Sequence, residues 1–165
     1  MLNIAAFTFK YDQLEDRLLL VGNFNNQQPR VDFWLTRKLV MRLLSGAQEL
    51  VDKTEDAVQQ APSAHKSELT QFHHDHAKQI MNAERENQTV TPEDACLLTR
   101  LDISYRNDQY RLLFYSEGAE PVAMSVLTYE ELHQILFLMH KGALSLDWGV
   151  SPSLFNSEFS SQTLQ

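Results

Sequence analysis

At 165 residues and 43% apolar content, the chain is sized for one domain, or for two small fused halves, with an ordinary core. Its 22 acids against 14 bases leave a net charge of −8, which opposes non-specific binding to DNA or an anionic membrane, because neutralising phosphates needs a basic surface. The single cysteine, Cys96, excludes an intrachain disulfide, and no stretch approaches the roughly 20 apolar residues of a spanning helix, so a reducing, cytoplasmic setting is expected.

Residues 2–11 alternate, with Ala5, Phe7, Phe9 and Tyr11 on one face, and predict a strand. They have no basic leader pattern, so no signal peptide is expected. Residues 12–16 are turn-like. Residues 17–24 carry the continuous apolar run Leu18-Leu19-Leu20-Val21, the mark of a strand buried on both faces. After the polar connection 25–29, residues 30–35 alternate again, and the three strands predict an antiparallel meander.

A helix follows from Arg37. It meets no breaker but Gly46 before Pro62, and is expected to run to near Gln60. Its first turn, Thr36-Arg37-Lys38, sets cations at the positive end of the helix dipole, unfavourable by about 0.3–1 kcal/mol per exposed charge. Arg37, Lys38 and Arg42 cluster on one side of this helix. They are a candidate patch for acidic groups of a partner or for an anion; the plainer reading is solvated side chains.

Pro62-Ser63 marks a turn, and residues 64–84 predict a second helix with the stripe Leu69, Phe72, His73, His76, Ile80 and Ala83. The two helices would form an inserted αα-hairpin. His73 and His76 share a face one turn apart and could give two imidazoles to a zinc- or nickel-type ion. The spacing is not that of a metalloprotease, and the plainer reading is a pair of interfacial histidines.

Residues 85–95 are a polar linker. Residues 97–106 and 110–115 predict strands joined at Asn107-Asp108-Gln109. Cys96, at the start of the first, reads as a small apolar residue rather than a nucleophile. Residues 121–143 run as a strand straight into a helix. Thr128 and Glu131 form a capping box, Leu132, Ile135, Leu136 and Met139 make the apolar stripe, and Gly142 is the expected C′ residue. Leu144, Leu146, Trp148 and Val150 suggest a short packed segment. The Ser/Gln-rich tail carries Phe155 and Phe159 at helical spacing, read as local packing.

The stretch 29–51 echoes 121–143. At a shift of 92, Pro121 falls on Pro29, Leu127-Thr128 on Leu35-Thr36, and Leu132, Ile135, Leu136 and Met139 on Val40, Leu43, Leu44 and Ala47. At a shift of 94, Arg111-Leu112-Leu113 falls on Arg17-Leu18-Leu19 and Tyr105 on Tyr11. The fold expected is α+β: a tandem β-β-β-α repeat with a pseudo-twofold, antiparallel strands in one sheet or two abutting sheets, both repeat helices on one side, and the αα-hairpin as insertion. Residues 1–60 form the first repeat, 61–96 the central helix and linker, 97–150 the second repeat and 151–165 the tail. An exposed edge or helix face makes a homodimer expected.

No phosphate loop, nucleophile elbow or facing carboxylate pair is present, and no cofactor is implied. The leading expectation is therefore a non-enzymatic binding or assembly protein acting through protein–protein contacts. The tandem strand-meander-plus-helix order and the L-T-x-E-E-L start at residues 127–132 are loosely similar to the repeat of the Whirly and PUR group of single-stranded nucleic-acid binders. That similarity covers less than half of the chain, and the strands lack the basic residues such proteins use. It implies an alternative in which strand aromatics such as Trp34, Tyr105, Tyr110, Phe114 and Tyr115 stack bases beside Arg37, Lys38 and Arg42. A metal protein centred on His73 and His76 is the third reading.

Overall fold

Alternation and capping place the elements where physical chemistry puts them. The computed structural model describes residues 1–24, 27–58 and 91–152. The expected central helix with His73 and His76, and the tail with Phe155 and Phe159, lie outside the described residues. The first unit comprises β1 (Leu2–Asn3), β2 (Phe7–Asp12), β3 (Arg17–Gly22), β4 (Val31–Thr36) and α1 (Arg37–Val58). The second comprises β5 (Cys96–Leu97), β6 (Arg100–Arg106), β7 (Gln109–Tyr115), β8 (Ala123–Leu127) and α2 (Tyr129–Ser145). The fold is α+β, and each unit contains three antiparallel strands followed by a helix.

The stretches 2–11 and 97–106, each expected as one strand, are both broken. The short leader of each unit leaves its own sheet and pairs in parallel with the last strand of the other. β1 lies on β8, and β5 lies on β4. The result is two four-stranded sheets, ordered β1-β8-β7-β6 and β2-β3-β4-β5, each completed by a strand from the other half.

Buried groups hold each crossing. Ile4 and Leu98 are 1% and 2% exposed, and their N–H groups donate to the carbonyls of Met124 and Trp34. The Ser125 hydroxyl donates to the Ile4 carbonyl at 2.7 Å. Asn23, 1% exposed, accepts from the Ala5 N–H at 2.9 Å and donates to the Asn3 and Pro29 carbonyls at 2.8 and 2.9 Å. Its φ of +60° is one that asparagine tolerates better than most residues.

The shift between the units is not uniform. Leu18 pairs with Leu35 and Tyr110 with Leu127, so the middle strands match at 92 rather than at the expected 94. Tyr11 pairs with Leu18 and Tyr105 with Tyr110, so only the first strands match at 94. The two-residue difference lies in the hairpin turns. Residues 13–16 make a four-residue turn in which Asp12 Oδ1 accepts from Leu14 and Glu15. Asn107 and Asp108, with φ of +52° and +60°, make a two-residue type I′ turn.

Thr36 and Thr128 cap the two helices, and the capping box at Thr128 and Glu131 forms as expected. Gly142 does not terminate α2, which continues to Ser145. A Cβ there would lie 2.7 Å from both Leu18 Cδ2 and the Tyr11 ring, so the glycine serves close helix–sheet approach instead. The helices pack on each other, and each also reaches the first antiparallel strand of the opposite unit, α1 on β6 and α2 on β2. One core joins both halves; within it Phe33 of β4 stacks on Phe114 of β7 at 5.6 Å.

Replacing Asn23 by alanine strands the Ala5 N–H and removes donors from two carbonyls. The expected loss is about 2–4 kcal/mol in urea unfolding, with an undiminished m-value.

Candidate functional site

The two helix–strand junctions that occupy matching places in the two units are built differently. Where α2 meets β2, the Tyr11 hydroxyl donates to the Leu138 carbonyl at 3.1 Å, and Phe7 and Phe9 join the core. The matching junction of α1 and β6 is open. Gly46 stands at the place of Leu138, Ala47 at that of Met139, Leu101 at that of Phe7 and Ile103 at that of Phe9. Four large side chains are thus exchanged for smaller ones on facing elements. Nothing lies within 4 Å of where a Gly46 Cβ would stand.

The helix registers differ in the same sense. Gly142 lets α2 settle on Tyr11 and Leu18, and its counterpart on α1 is Leu50, which lines the opening. The tyrosine partner is lost as well. Tyr105, the counterpart of Tyr11, donates instead to Asp108 at 3.0 Å, within reach because the β6–β7 turn is short. That hydrogen bond raises the Tyr105 phenol above its ordinary pKa.

What remains is a groove of about 490 Å³, the size range of sites that take specific ligands. Its floor is apolar: Leu39, Leu43 and Leu50 from α1, Leu101 and Ile103 from β6. Its rim carries the cations Arg42, Lys53 and Arg100 and one carboxylate, Glu49. Arg100 lies over the Tyr115 ring at 3.7 Å and pairs with Asp102 at 3.2 Å, which fixes its direction at the strand start.

Of the residues the sequence singled out, only Arg42 lines this groove. Arg37, on the first turn of α1, donates to the Trp148 carbonyl at 3.3 Å and helps hold the segment after α2. Lys38 is exposed nearby but outside the groove lining. Trp34 lies on the outer face of the β2–β5 sheet with the Arg17 guanidinium 3.7 Å above its ring. Tyr110, at 1% exposure, is a core residue, its hydroxyl 2.7 Å from that of Thr54. Phe114 is fully buried and Tyr115 nearly so. The strand aromatics therefore make no shared open platform.

Among the described residues no group of three or more histidine, cysteine, aspartate or glutamate side chains could hold a metal ion. The buried Asp32 is fully engaged. It takes two hydrogen bonds from Arg30, at 2.8 and 2.7 Å, and one from the Glu93 N–H at 2.8 Å. The Asp32 hydrogen bonds hold the Arg30 guanidinium above its ordinary pKa. No described helix is long and apolar enough to cross a membrane. Comparison with family models, curated proteins and solved structures finds no match for this chain.

The asymmetry predicts opposite responses to one substitution. Gly142→Ala crowds Tyr11 and Leu18 and is expected to destabilise by about 1–3 kcal/mol. Gly46→Ala meets open space and gains helix propensity, so it is expected to stabilise by about 0.5–1 kcal/mol. Paired urea titrations of the two variants read both signs.

Proposed function

We propose that this chain is a non-enzymatic binding module that captures a partner protein in the groove between α1 and β6. The observation that carries the reading is the open junction, where its pseudo-equivalent is packed shut. Such a difference confined to facing positions leaves Leu39, Leu50 and Ile103 only partly buried, and covering the area that remains is favourable at about 25 cal/mol per Å². Arg42, Lys53 and Arg100 stand against Glu49 on the rim, with Asp102 paired to Arg100, and the positive balance favours a partner segment with acidic residues beside its apolar ones. The net charge of −8 does not oppose this, because distant charges are screened beyond about 8 Å at physiological salt.

Gly46→Leu tests the reading by restoring the side chain of the closed junction. The variant is expected to fold with at least wild-type stability. Partners captured from host lysate by the wild-type chain, and cross-linked through Lys53, are expected to be lost. A partner held equally by both forms would place its contact elsewhere and overturn the groove as the site.

A second reading is supported by one observation. Arg100, Arg106 and Arg111 share the outer face of the β6–β8 sheet by register, and Tyr115 stands opposite Arg100. A single-stranded nucleic acid could be held there. In that case a fluorescent oligonucleotide of thymidines is expected to bind at low salt and to weaken about tenfold or more on raising salt from 50 to 200 mM. Absence of binding at 50 mM would remove this reading.

A further inference from the structure

The edges of the two sheets differ in what they offer a partner. β1 and β5, the outer strands at two of the four edges, are two-residue stubs. β2, at the third, is locked onto α2 through Tyr11 and carries an exposed lysine, Lys10, at mid-strand. β6, at the fourth, is seven residues long, without proline, and its inward positions, Leu101, Ile103 and Tyr105, are aliphatic or aromatic. Among the described residues its outer row of N–H and C=O groups has no strand partner. Natural sheets shorten, twist or cover such an edge unless it is used.

The groove lies beside this same strand, since Leu101 and Ile103 of β6 are part of its floor. We infer that the partner segment enters as an extended strand that pairs with β6. This rests on the groove being the binding site. Side chains of an added strand alternate between the two faces of the sheet. Every second one would descend into the groove over Leu39, Leu43 and Gly46, and is therefore apolar. The others stand on the outer face among Arg100, Asp102 and Arg106, two cations against one carboxylate, and acidic residues are favoured opposite the arginines, since cross-strand neighbours of opposite charge attract. Arg42 and Lys53, at the α1 side of the groove, draw the same sign of charge. The occupant is a six- to seven-residue stretch of alternating apolar and acidic residues, its length set by β6, which spans about 23 Å at about 3.3 Å per residue. The backbone hydrogen bonds would supply affinity and the groove would supply selectivity.

Three synthetic peptides of eight residues separate the possibilities when titrated into the full chain. One alternates leucine with glutamate. The second has the same composition with leucines at helical spacing. The third is the alternating peptide with backbone N-methyl groups on every second residue, which removes the donors on one edge. The alternating peptide is expected to bind, to shift and protect the amides of residues 100–106, and to weaken about tenfold or more on N-methylation, since two or more hydrogen bonds are lost. Gly46→Leu is expected to abolish its binding. Preferred binding of the helical-spacing peptide, still lost in Gly46→Leu, would overturn strand addition and keep the groove. Failure of both unmethylated peptides at millimolar concentration would overturn both. Protection of the β6 amides in the free chain, by a second copy pairing edge to edge or by residues 59–90, would overturn the proposal as well.

Discussion

The reciprocal exchange of leader strands is the constraint on which the rest of the molecule depends. β1 and β5 are too short to be stable sheet strands alone. Each nevertheless closes the edge of a sheet that belongs to the other half of the chain. Neither meander can keep its fourth strand unless its neighbour is present. The two units consequently share one core, and the helices cross-pack onto opposite units for the same reason. The buried Asn23 amide matters here beyond its size. It satisfies the backbone at the point where β1 leaves for the other sheet, in a place that water does not reach.

Two units with the same order of strands and helix make their departures from one another informative. Interiors are close-packed, so a junction that is filled in one copy and open in the other reflects changed side chains rather than slack. Here the change is concerted. Smaller residues appear on both α1 and β6, the glycine moves by one helical turn along its helix, and the shorter hairpin draws Tyr105 away to Asp108. Each alone would be a local adjustment. Together they produce an apolar trough beside β6, an edge strand with no strand partner on its outer side among the described residues, rimmed by Arg42, Lys53 and Arg100. The acidity of the whole chain conceals this patch, because summed charge carries no information about position.

The aromatic residues illustrate how one register decides a role. With the middle strands set 94 apart, Tyr110 has no counterpart in the core and reads as an available ring. The pairing sets them 92 apart, and Tyr110 then occupies the place of the fully buried Leu18. A two-residue slip keeps the face but changes which layer of the core a side chain meets. The difference traces to the turns, four residues against two, and Asn107-Asp108 is the local signal that locates it.

The sequence by itself determined what local rules govern. Strand alternation, the continuous run of β3, the threonine caps and the helical stripe are set by neighbours a few residues away, so the β-β-β-α order and its recurrence were legible. Arg42 was legible as part of a basic cluster, while Lys53 and Arg100 were not, because they join it only when α1 lies across β6. Comparing copies residue by residue, Gly46 with Leu138 and Ile103 with Phe9, held the remaining signal. The breaks at Ile4 and Leu98 were hidden because the alternation through Ala5, Phe7, Phe9 and Tyr11, and through Leu97, Leu101, Ile103 and Tyr105, runs on without interruption, whereas the buried Ile4 and Leu98 fall in the opposite phase. Only the tertiary structure decided which sheet each leader joins, which glycine is crowded and which is open, and which edge strand lacks an outer strand partner among the described residues. These are outcomes of long-range packing, fixed by contacts between residues about a hundred positions apart, and no local pattern encodes them.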